Sequence, residues 1–239
     1  MFKTVAIAAL GAVSAEKCPA PGAIQSAKVK ADFDMNLFHG TFYEIAYHDY
    51  TQPVGVCGCM RSVKSFDTEK QKVMDDFTLN CGSNTGNQHT HTYHNALSFD
   101  VSPVKGEWNG HWPLTPGVVF PDTLVDVGPV VTFDGKEQYA WVLELQCVEI
   151  FGHVAFYGSN FYSSLKEHTY LEEMKTSWHN AGLDYVLYPA HDSRQLTLVD
   201  HTGCLYNNTA MIQDPKFENL RKNAFHIGAE KEQSVLEFL

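Results

Sequence analysis

The sequence is poor in basic residues and contains no long apolar run. Its 239 residues include 17 Lys and Arg against 28 Asp and Glu, which gives a formal net charge of −11. No Lys/Arg patch is visible, and this argues against nucleic acid or an anionic membrane surface as the main partner. No stretch is long and apolar enough to cross a bilayer, so we expect no membrane span.

Common catalytic and cofactor-binding signatures are also absent. The sequence has no G-x-S-x-G elbow, P-loop, G-x-G-x-x-G or C-x-x-C motif. Asp75 and Asp76 are neighbours in a predicted strand, where adjacent side chains face opposite sides, so they make a poor catalytic pair. We therefore predict a protein that is not an enzyme and needs no cofactor.

What the chain does have is core-forming residues and an export signal. Apolar residues make up 44% of it and charged residues 19%, which favours a folded core over long disorder. Residues 1–15 are typical of a secretory signal peptide, with Lys3 before the apolar stretch Val5 to Val13 and a small residue, Ala15, at the cleavage site. We expect a signal peptide (1–15), one domain (16–205) and a tail (206–239). Asn207 begins a glycosylation sequon, so the secreted chain is also a candidate glycoprotein.

Short alternating apolar and polar runs, separated by turn residues, dominate from Thr41 to Ser159 and are typical of antiparallel strands. We predict eight strands, at about 41–50, 56–66, 71–80, 89–101, 106–113, 127–133, 138–148 and 152–159. A meander of this size usually closes, because closure removes its exposed edges. The predicted fold class is therefore all-β, an eight-stranded antiparallel up-and-down β-barrel with room for side chains or one small ligand.

The pattern changes once, after the predicted barrel. Leu171, Met174 and Trp178 recur at helical spacing, and Gly182 stands where a C-cap glycine would end a helix. We predict an α-helix at about 164–180, C-terminal to the barrel and packed on its outside. The segment 195–200 can form a ninth short strand.

The stretch FDMNLFHGTFYEIAYHDY (33–50) resembles the N-terminal signature of lipocalins, in which a helical turn leads through a glycine into the first strand and an aromatic side chain plugs the barrel base. The matching positions are Asp34, Phe38, Gly40, Phe42, Tyr43, Glu44, Ile45 and Ala46. The stretch is most similar to the apolipoprotein D and bacterial lipocalin branch. The later order of strand, helix, AGLDY and LTLVDHTGC is similar to that branch and to the lipocalin domain of violaxanthin de-epoxidases.

An even number of cysteines in an exported chain predicts disulfides, although six cysteines allow 15 pairings. The cysteines are Cys18, Cys57, Cys59, Cys81, Cys147 and Cys204. The resemblance to apolipoprotein D implies one bridge between Cys18 and Cys147, and a second between Cys204 and either Cys57 or Cys59. The hairpin places Cys57 opposite Cys81, which favours Cys57–Cys81 and leaves Cys59 for Cys204.

Aromatic side chains on the predicted strands are candidates for lining an apolar ligand pocket, since such pockets are mostly hydrophobic. The candidate ligand-binding residues are Phe42, Tyr93, Phe99, Trp108, Trp112 and Trp141. Trp108 and Trp112 share parity on one strand and are the strongest of these candidates. For each of them, ordinary core packing is the alternative interpretation.

A histidine-rich segment, HTHTYH (89–94), raises the question of a metal site. His89 and His91 alternate onto one face of a strand, and His111 could approach from the next strand. Zinc would need further ligands and supporting contacts. We favour surface histidines and predict no metal.

The leading functional hypothesis is a secreted carrier whose partner is a small hydrophobic molecule, held inside the barrel. A carotenoid or other pigment, a sterol or a fatty acid would fit this description. The resemblance also suggests a xanthophyll de-epoxidase-like enzyme, but the chain lacks the cysteine-rich region before the barrel and the glutamate-rich region after it that those enzymes have. A non-catalytic barrel used for protein interactions is the third hypothesis, and the sequence leaves the oligomeric state open.

Overall fold

The computed structural model describes residues 17–49, 57–81, 91–111, 119–150, 153–187, 196–204 and 206. At residues 57, 81, 91–96, 111 and 150 it describes the backbone alone. The predicted signal peptide (1–15), His89, Trp112 and Asn207 lie outside the described residues, and so does the tail beyond Tyr206.

Antiparallel strands dominate the described chain. In chain order they are β1 (Gly40–Asp49), β2 (Cys57–Asp67), β3 (Lys72–Cys81), β4 (His91–Val101), β5 (Glu107–His111), β6 (Val119–Val127), β7 (Val130–Phe133), β8 (Lys136–Tyr139), β9 (Trp141–Ile150), β10 (His153–Ser163) and β11 (Thr197–Leu198). Strands β1 to β6 pair in sequence, β6 pairs with β9, β9 with β10, and β10 closes the sheet onto β1. The predicted eight-stranded up-and-down barrel is confirmed.

The sixth predicted strand, 127–133, contains β7, but its assignment to the barrel is wrong. The sixth barrel strand is β6, and the chain then leaves the barrel to form a separate hairpin from β7 and β8. Pro121 interrupts the β-pattern of β6 in the sequence, since proline has no N–H for the ladder. The turn between β7 and β8 is Asp134-Gly135, with φ of 50° and 75°, the two-residue hairpin turn that Asp-Gly favours.

The helices lie at both ends of the described chain. They are α1 (Pro21–Ile24), α2 (Ala27–Asp32), a 3-10 turn (Met35–Phe38), α3 (Leu171–Asn180) and α4 (Asp184–Leu187). The predicted outer helix is confirmed, but it begins at Leu171 instead of 164, after a turn, with Glu172 and Glu173 in its favourable acidic first turn. It ends before Gly182, whose φ of 72° is the left-handed conformation expected of a C-cap glycine. Within the described residues, no helix is both long and apolar enough to cross a membrane.

Alternation along the strands produces two apolar clusters, one on each face of the barrel wall. The inner cluster, inside the barrel, includes Phe38, Phe42, Tyr47, Met60, Phe77, Leu79, Phe99, Trp108, Leu124, Val142 and Tyr162. The outer cluster joins the other face to α3 and α4, and includes Ile45, Val125, Trp141, Leu143, Leu145, Phe161, Leu171, Met174, Trp178, Val186 and Leu187. The barrel wall is therefore apolar on both sides where α3 covers it.

Gly40 lies where the N-terminal segment turns into β1. Its φ is 147°, and a Cβ added there would lie 2.2 Å from Oε1 of Gln138. Gln138, on β8, in turn donates a hydrogen bond to the Thr41 carbonyl at 3.1 Å. Glycine is therefore required at this point by both backbone conformation and space.

Two predicted disulfides are confirmed: Cys18–Cys147, with Cα atoms 5.7 Å apart, and Cys59–Cys204, at 5.5 Å. The first ties the N-terminal segment to β9, and the second ties β2 to the segment after β11. The strand register places Cys57 opposite Cys81, as the hairpin argument requires. The side chains of that pair lie outside the described part of the structure, so the third bridge stays a prediction.

Replacing Cys59 and Cys204 together with Ser should lower the free energy of unfolding by about 2–5 kcal/mol, because the bridge restricts a long loop of the unfolded chain. The two cysteines are 145 positions apart, so the constraint removed is large. Urea unfolding of the oxidised proteins, followed by tryptophan fluorescence, measures the change. An unchanged unfolding midpoint would contradict the structural role of this bridge.

Candidate ligand-binding site in the barrel

The lower end of the barrel is closed by aromatic residues, which we call the base plug: Phe33, Phe38, Phe42, Trp108 and Tyr139. The ring centroids of Phe38 and Trp108 lie 4.7 Å apart, and Phe33 stacks on Tyr139 at 6.0 Å. The Asp34 amide donates a hydrogen bond to the Tyr139 hydroxyl at 2.8 Å. The N-terminal segment is thereby fixed across the base.

Phe42 and Trp108 were predicted to contact ligand, and the structure places both inside the barrel within the base plug. Trp108 is 1% exposed and Phe42 is fully buried. The Trp108 indole donates a hydrogen bond to the Asp122 carboxylate. They form the closed end of the interior, so truncating either side chain would remove core packing.

Above the plug lies a polar layer, which we call the floor: Glu44, Ser62, Lys64, Asp75, Asp122, Glu144, Gln146 and Asn160. Its centre is the Lys64 ammonium, which lies 3.0 Å from a carboxylate oxygen of Asp75 and 3.0 Å from one of Glu144. Ser62 donates a hydrogen bond to Asp75 at 2.6 Å. Because Asp75 is on β3 and Glu144 is on β9, Lys64 links walls that are not neighbours in the sheet.

Lys64 also connects the floor to the aromatic layer. Its Nζ lies 5.2 Å from the ring centroid of Phe38 and 4.6 Å from that of Tyr162. A buried ammonium needs such partners, because its transfer out of water is expensive. The charge is thus held by two carboxylates and two ring faces.

Asp122 and Asn160 complete the floor from β6 and β10. Gln146 donates to Asp122 Oδ2 at 3.4 Å, and Asn160 donates through Nδ2 to Glu44 Oε1 at 2.6 Å. Two buried oxygens, Oδ1 of Asp122 and Oδ1 of Asn160, have no hydrogen-bond partner. Such atoms are costly to leave unpaired, so they mark the floor as unsatisfied.

Burial and neighbouring charges shift the pKa values of the ionisable groups in the floor. Burial, and then the Glu144 carboxylate, raise the pKa of Asp122 well above its ordinary value, against the opposing effect of Lys64. Burial likewise raises the pKa of Glu144, although Lys64 lowers it. Burial lowers the pKa of Lys64, but Asp75, Glu144 and Asp122 outweigh it and raise that pKa overall. The ammonium therefore stays charged while the carboxyls compete for the one cation.

Beyond the floor, the inward positions become apolar, and we call this part the upper wall: Phe77, Leu79, Phe120, Val148 and Phe156. On each strand these residues lie further from the plug than the floor residue of the same strand. The rings of Phe120 and Phe156 meet edge to face at 6.5 Å, and both side chains are half-buried. The upper wall is the part of the interior suited to an apolar molecule.

The other predicted ligand-binding residues fall in three places. Phe99 is in the inner cluster, with its ring against Gly110, where an added Cβ would lie 2.8 Å from it. Tyr93 lies opposite Leu79 in the β3–β4 register, and its side chain is not among those described. Trp112 lies outside the described residues.

Trp141 is placed differently from the expectation. It belongs to the outer cluster, on the barrel face that α3 covers, and its ring packs against Gly128, where an added Cβ would lie 2.6 Å away. The apolar run Trp141, Leu143, Leu145 on β9 is the outward face, and the face with Glu144 and Gln146 is the inward one. The outward face is the more apolar of the two because a helix covers it.

The floor was missed by the sequence reasoning, although two signals for it were present. The predicted β2–β3 hairpin places Lys64 opposite Asp75, which would have predicted a cross-strand ion pair. The second signal is the polar face of β9, which carries Glu144 and Gln146. The prediction that Trp141 lines the pocket instead places the apolar face of β9 inside the barrel, whereas the structure places it outside. The contact between Lys64 and Glu144 had no signal, because it crosses the barrel.

The histidine cluster is not tested by the structure. His91 and His111 are described by backbone alone. Among the residues whose side chains are described, no group of three or more His, Cys, Asp or Glu is arranged to hold a metal ion.

Comparison with solved structures shows the fold. Apocrustacyanin C2 matches with a TM-score of 0.52 and 13% identity, over 78% of this chain and 89% of that one. Crustacyanins are lipocalins. The barrel has the lipocalin fold. Apocrustacyanin C1 (TM-score 0.49, 15% identity, 75% of this chain and 87% of that one) and lobster apocrustacyanin A1 (0.47, 14%, 72% and 83%) also match. No family model and no curated protein matches the sequence.

Asp122→Asn should stabilise the protein at neutral pH and flatten the dependence of its stability on pH. The pKa of Asp122 is higher in the folded protein than in the unfolded chain, where it is about 4. The folded state therefore binds more protons between these two pKa values, and the free energy of unfolding falls as pH rises through that window. At pH 7.5 we expect the variant to gain about 1 kcal/mol or more, since one pKa unit corresponds to about 1.4 kcal/mol.

Urea unfolding of both proteins from pH 4 to 8 measures this difference. Asp134→Asn is the matched control: Asp134 is exposed in the β7–β8 turn, and asparagine tolerates its φ of 50°. The control should follow the unmodified protein at every pH. If the free energies of unfolding of the unmodified protein and of Asp122→Asn change with pH in parallel, the raised pKa assigned to Asp122 is contradicted.

Proposed function

We propose that the chain is a carrier that binds one small hydrophobic ligand inside its barrel, in the class of a carotenoid or other pigment, a sterol or a fatty acid. The observation that carries the proposal is the layered interior: a base plug, then the floor, then the apolar upper wall. A barrel that is closed at one end and apolar towards the other is suited to binding a hydrophobic molecule.

The driving force for binding is burial of apolar ligand surface. At about 25 cal/mol per Å², roughly 300–400 Å² of buried ligand surface contributes about 7–10 kcal/mol before the costs of association. Phe120 and Phe156 contribute most directly, because their rings are half-buried without a ligand and can be covered by one. This mechanism needs no catalytic group and no cofactor.

The proposed carrier function also includes a cellular location. We propose that the protein is secreted, with residues 1–15 removed and Asn207 available for glycosylation. The two disulfides, Cys18–Cys147 and Cys59–Cys204, support an oxidising environment. Cys18–Cys147 is the first bridge implied by the resemblance to apolipoprotein D, and Cys59–Cys204 is one of the two alternatives that it left for Cys204. Both bridges support placing the chain near that branch.

Delipidated protein should bind at least one member of a panel of retinoids, xanthophylls, sterols and fatty acids, with saturable quenching of tryptophan fluorescence. Trp108 belongs to the inner cluster, so a ligand held inside the barrel lies nearer to it than a molecule bound on the outer surface. Native mass spectrometry gives the stoichiometry, which should be one ligand per chain. Absence of saturable binding across the panel would favour the interaction-barrel hypothesis.

Phe156→Ala should weaken binding of the best panel ligand by about 1–3 kcal/mol, the usual contribution of a buried aromatic contact. The matched control is Phe133→Ala, which removes the same ring from β7, outside the barrel. Titration of both variants measures the difference in affinity. Equal affinities for the two variants would exclude the upper wall as the binding surface.

A further inference from the structure

The interior of the barrel is rich in buried carboxyl groups. Besides Glu44, whose Oε1 accepts a hydrogen bond from Asn160, three floor residues carry carboxyl groups: Asp75, Asp122 and Glu144. Each of them is at most 4% exposed. Lys64 is the one ammonium among the described floor residues, and its neighbour Arg61 points away, towards the Tyr206 ring at 5.7 Å. The floor thus has more buried carboxyl groups than cation to pair them.

The unsatisfied atoms of the floor point to the same kind of partner. Oδ1 of Asp122 and Oδ1 of Asn160 are buried, have no hydrogen-bond partner and belong to side chains that are 1% and 2% exposed. Both are oxygens, and a carboxylate or amide oxygen accepts hydrogen bonds. A group that completes the floor must therefore donate hydrogen bonds.

Resting on the proposed function, we propose that the ligand is an amphiphilic amine, whose protonated amino group binds at Asp122 on the floor and whose apolar body lies against the upper wall. The ammonium supplies both features that the floor lacks, a positive charge and N–H donors. Phe120 and Phe156, whose rings meet edge to face beyond the floor, supply aromatic rings that also favour contact with a cation.

The same charges discriminate among the other ligand classes. A hydroxyl group would satisfy an oxygen of the floor but would leave the carboxylates without a second cation. A fatty-acid carboxylate would add another negative charge beside Asp122 and Glu144, which is unfavourable in a buried site. Among ligands with the same tail, affinity should therefore follow the order amine, alcohol, carboxylate.

The test uses three molecules with one tail: dodecylamine, 1-dodecanol and dodecanoate, each titrated below its micellar concentration into delipidated full-length protein at pH 7. Calorimetry and tryptophan quenching give the dissociation constants. We expect the amine to bind about tenfold or more tighter than the alcohol, and the carboxylate to bind most weakly. Asp122→Asn should reduce amine affinity by about tenfold and leave alcohol affinity within about twofold.

Asp134→Asn serves again as the control and should retain the preference for the amine, since its carboxyl group is outside the barrel. The outcomes separate the two proposals. If alcohol or carboxylate binds as well as the amine, or if Asp122→Asn keeps the preference, the amine assignment is overturned and the carrier function stands. If none of the three binds and the larger hydrophobic panel also fails, the carrier function itself is overturned.

Discussion

The pairing of Lys64 with Asp75 and Glu144 is the constraint on which the rest of the interior depends. The ammonium is 3.0 Å from each carboxylate and touches walls of the barrel that do not neighbour each other in the sheet. A charge buried this deeply is tolerated only with close partners, so the plug beneath it must be aromatic and well packed. The floor then divides the interior into the base plug on one side and the apolar upper wall on the other.

The outer face is organised by a different requirement, the covering of apolar strand surface by a helix. Phe161 on β10 meets the Trp178 ring at 5.4 Å, and the Trp178 indole donates to the Leu183 carbonyl at 2.8 Å. Leu143 and Leu145 belong to the same cluster. Because α3 shields this face from water, its strands are apolar outward and partly polar inward, the reverse of a barrel that stands alone in solvent.

This reversal explains which structural features could be predicted from the sequence and which could not. The strand count, the meander and the outer helix follow from local periodicity, which the chain shows clearly. Which face of β9 is the inside does not follow, because Trp141 and Leu143 look like lining residues until α3 is placed over them. The Asp134-Gly135 turn was available as a signal for the extra hairpin. The contact from Lys64 to Glu144, 80 positions apart, depends on barrel closure and is visible only in three dimensions.

The base plug has a consequence for how the chain reaches its fold. It brings together Asp34 and Tyr139, which are 105 positions apart, and the barrel closes by pairing β1 with β10 near the far end of the domain. Contacts between residues so far apart in sequence require a large loss of chain entropy before they form. Folding should therefore be slow for a domain of this size. Until β1 pairs with β10, each of these strands has one unpaired edge, and the newly made chain is then most exposed to association with its own copies.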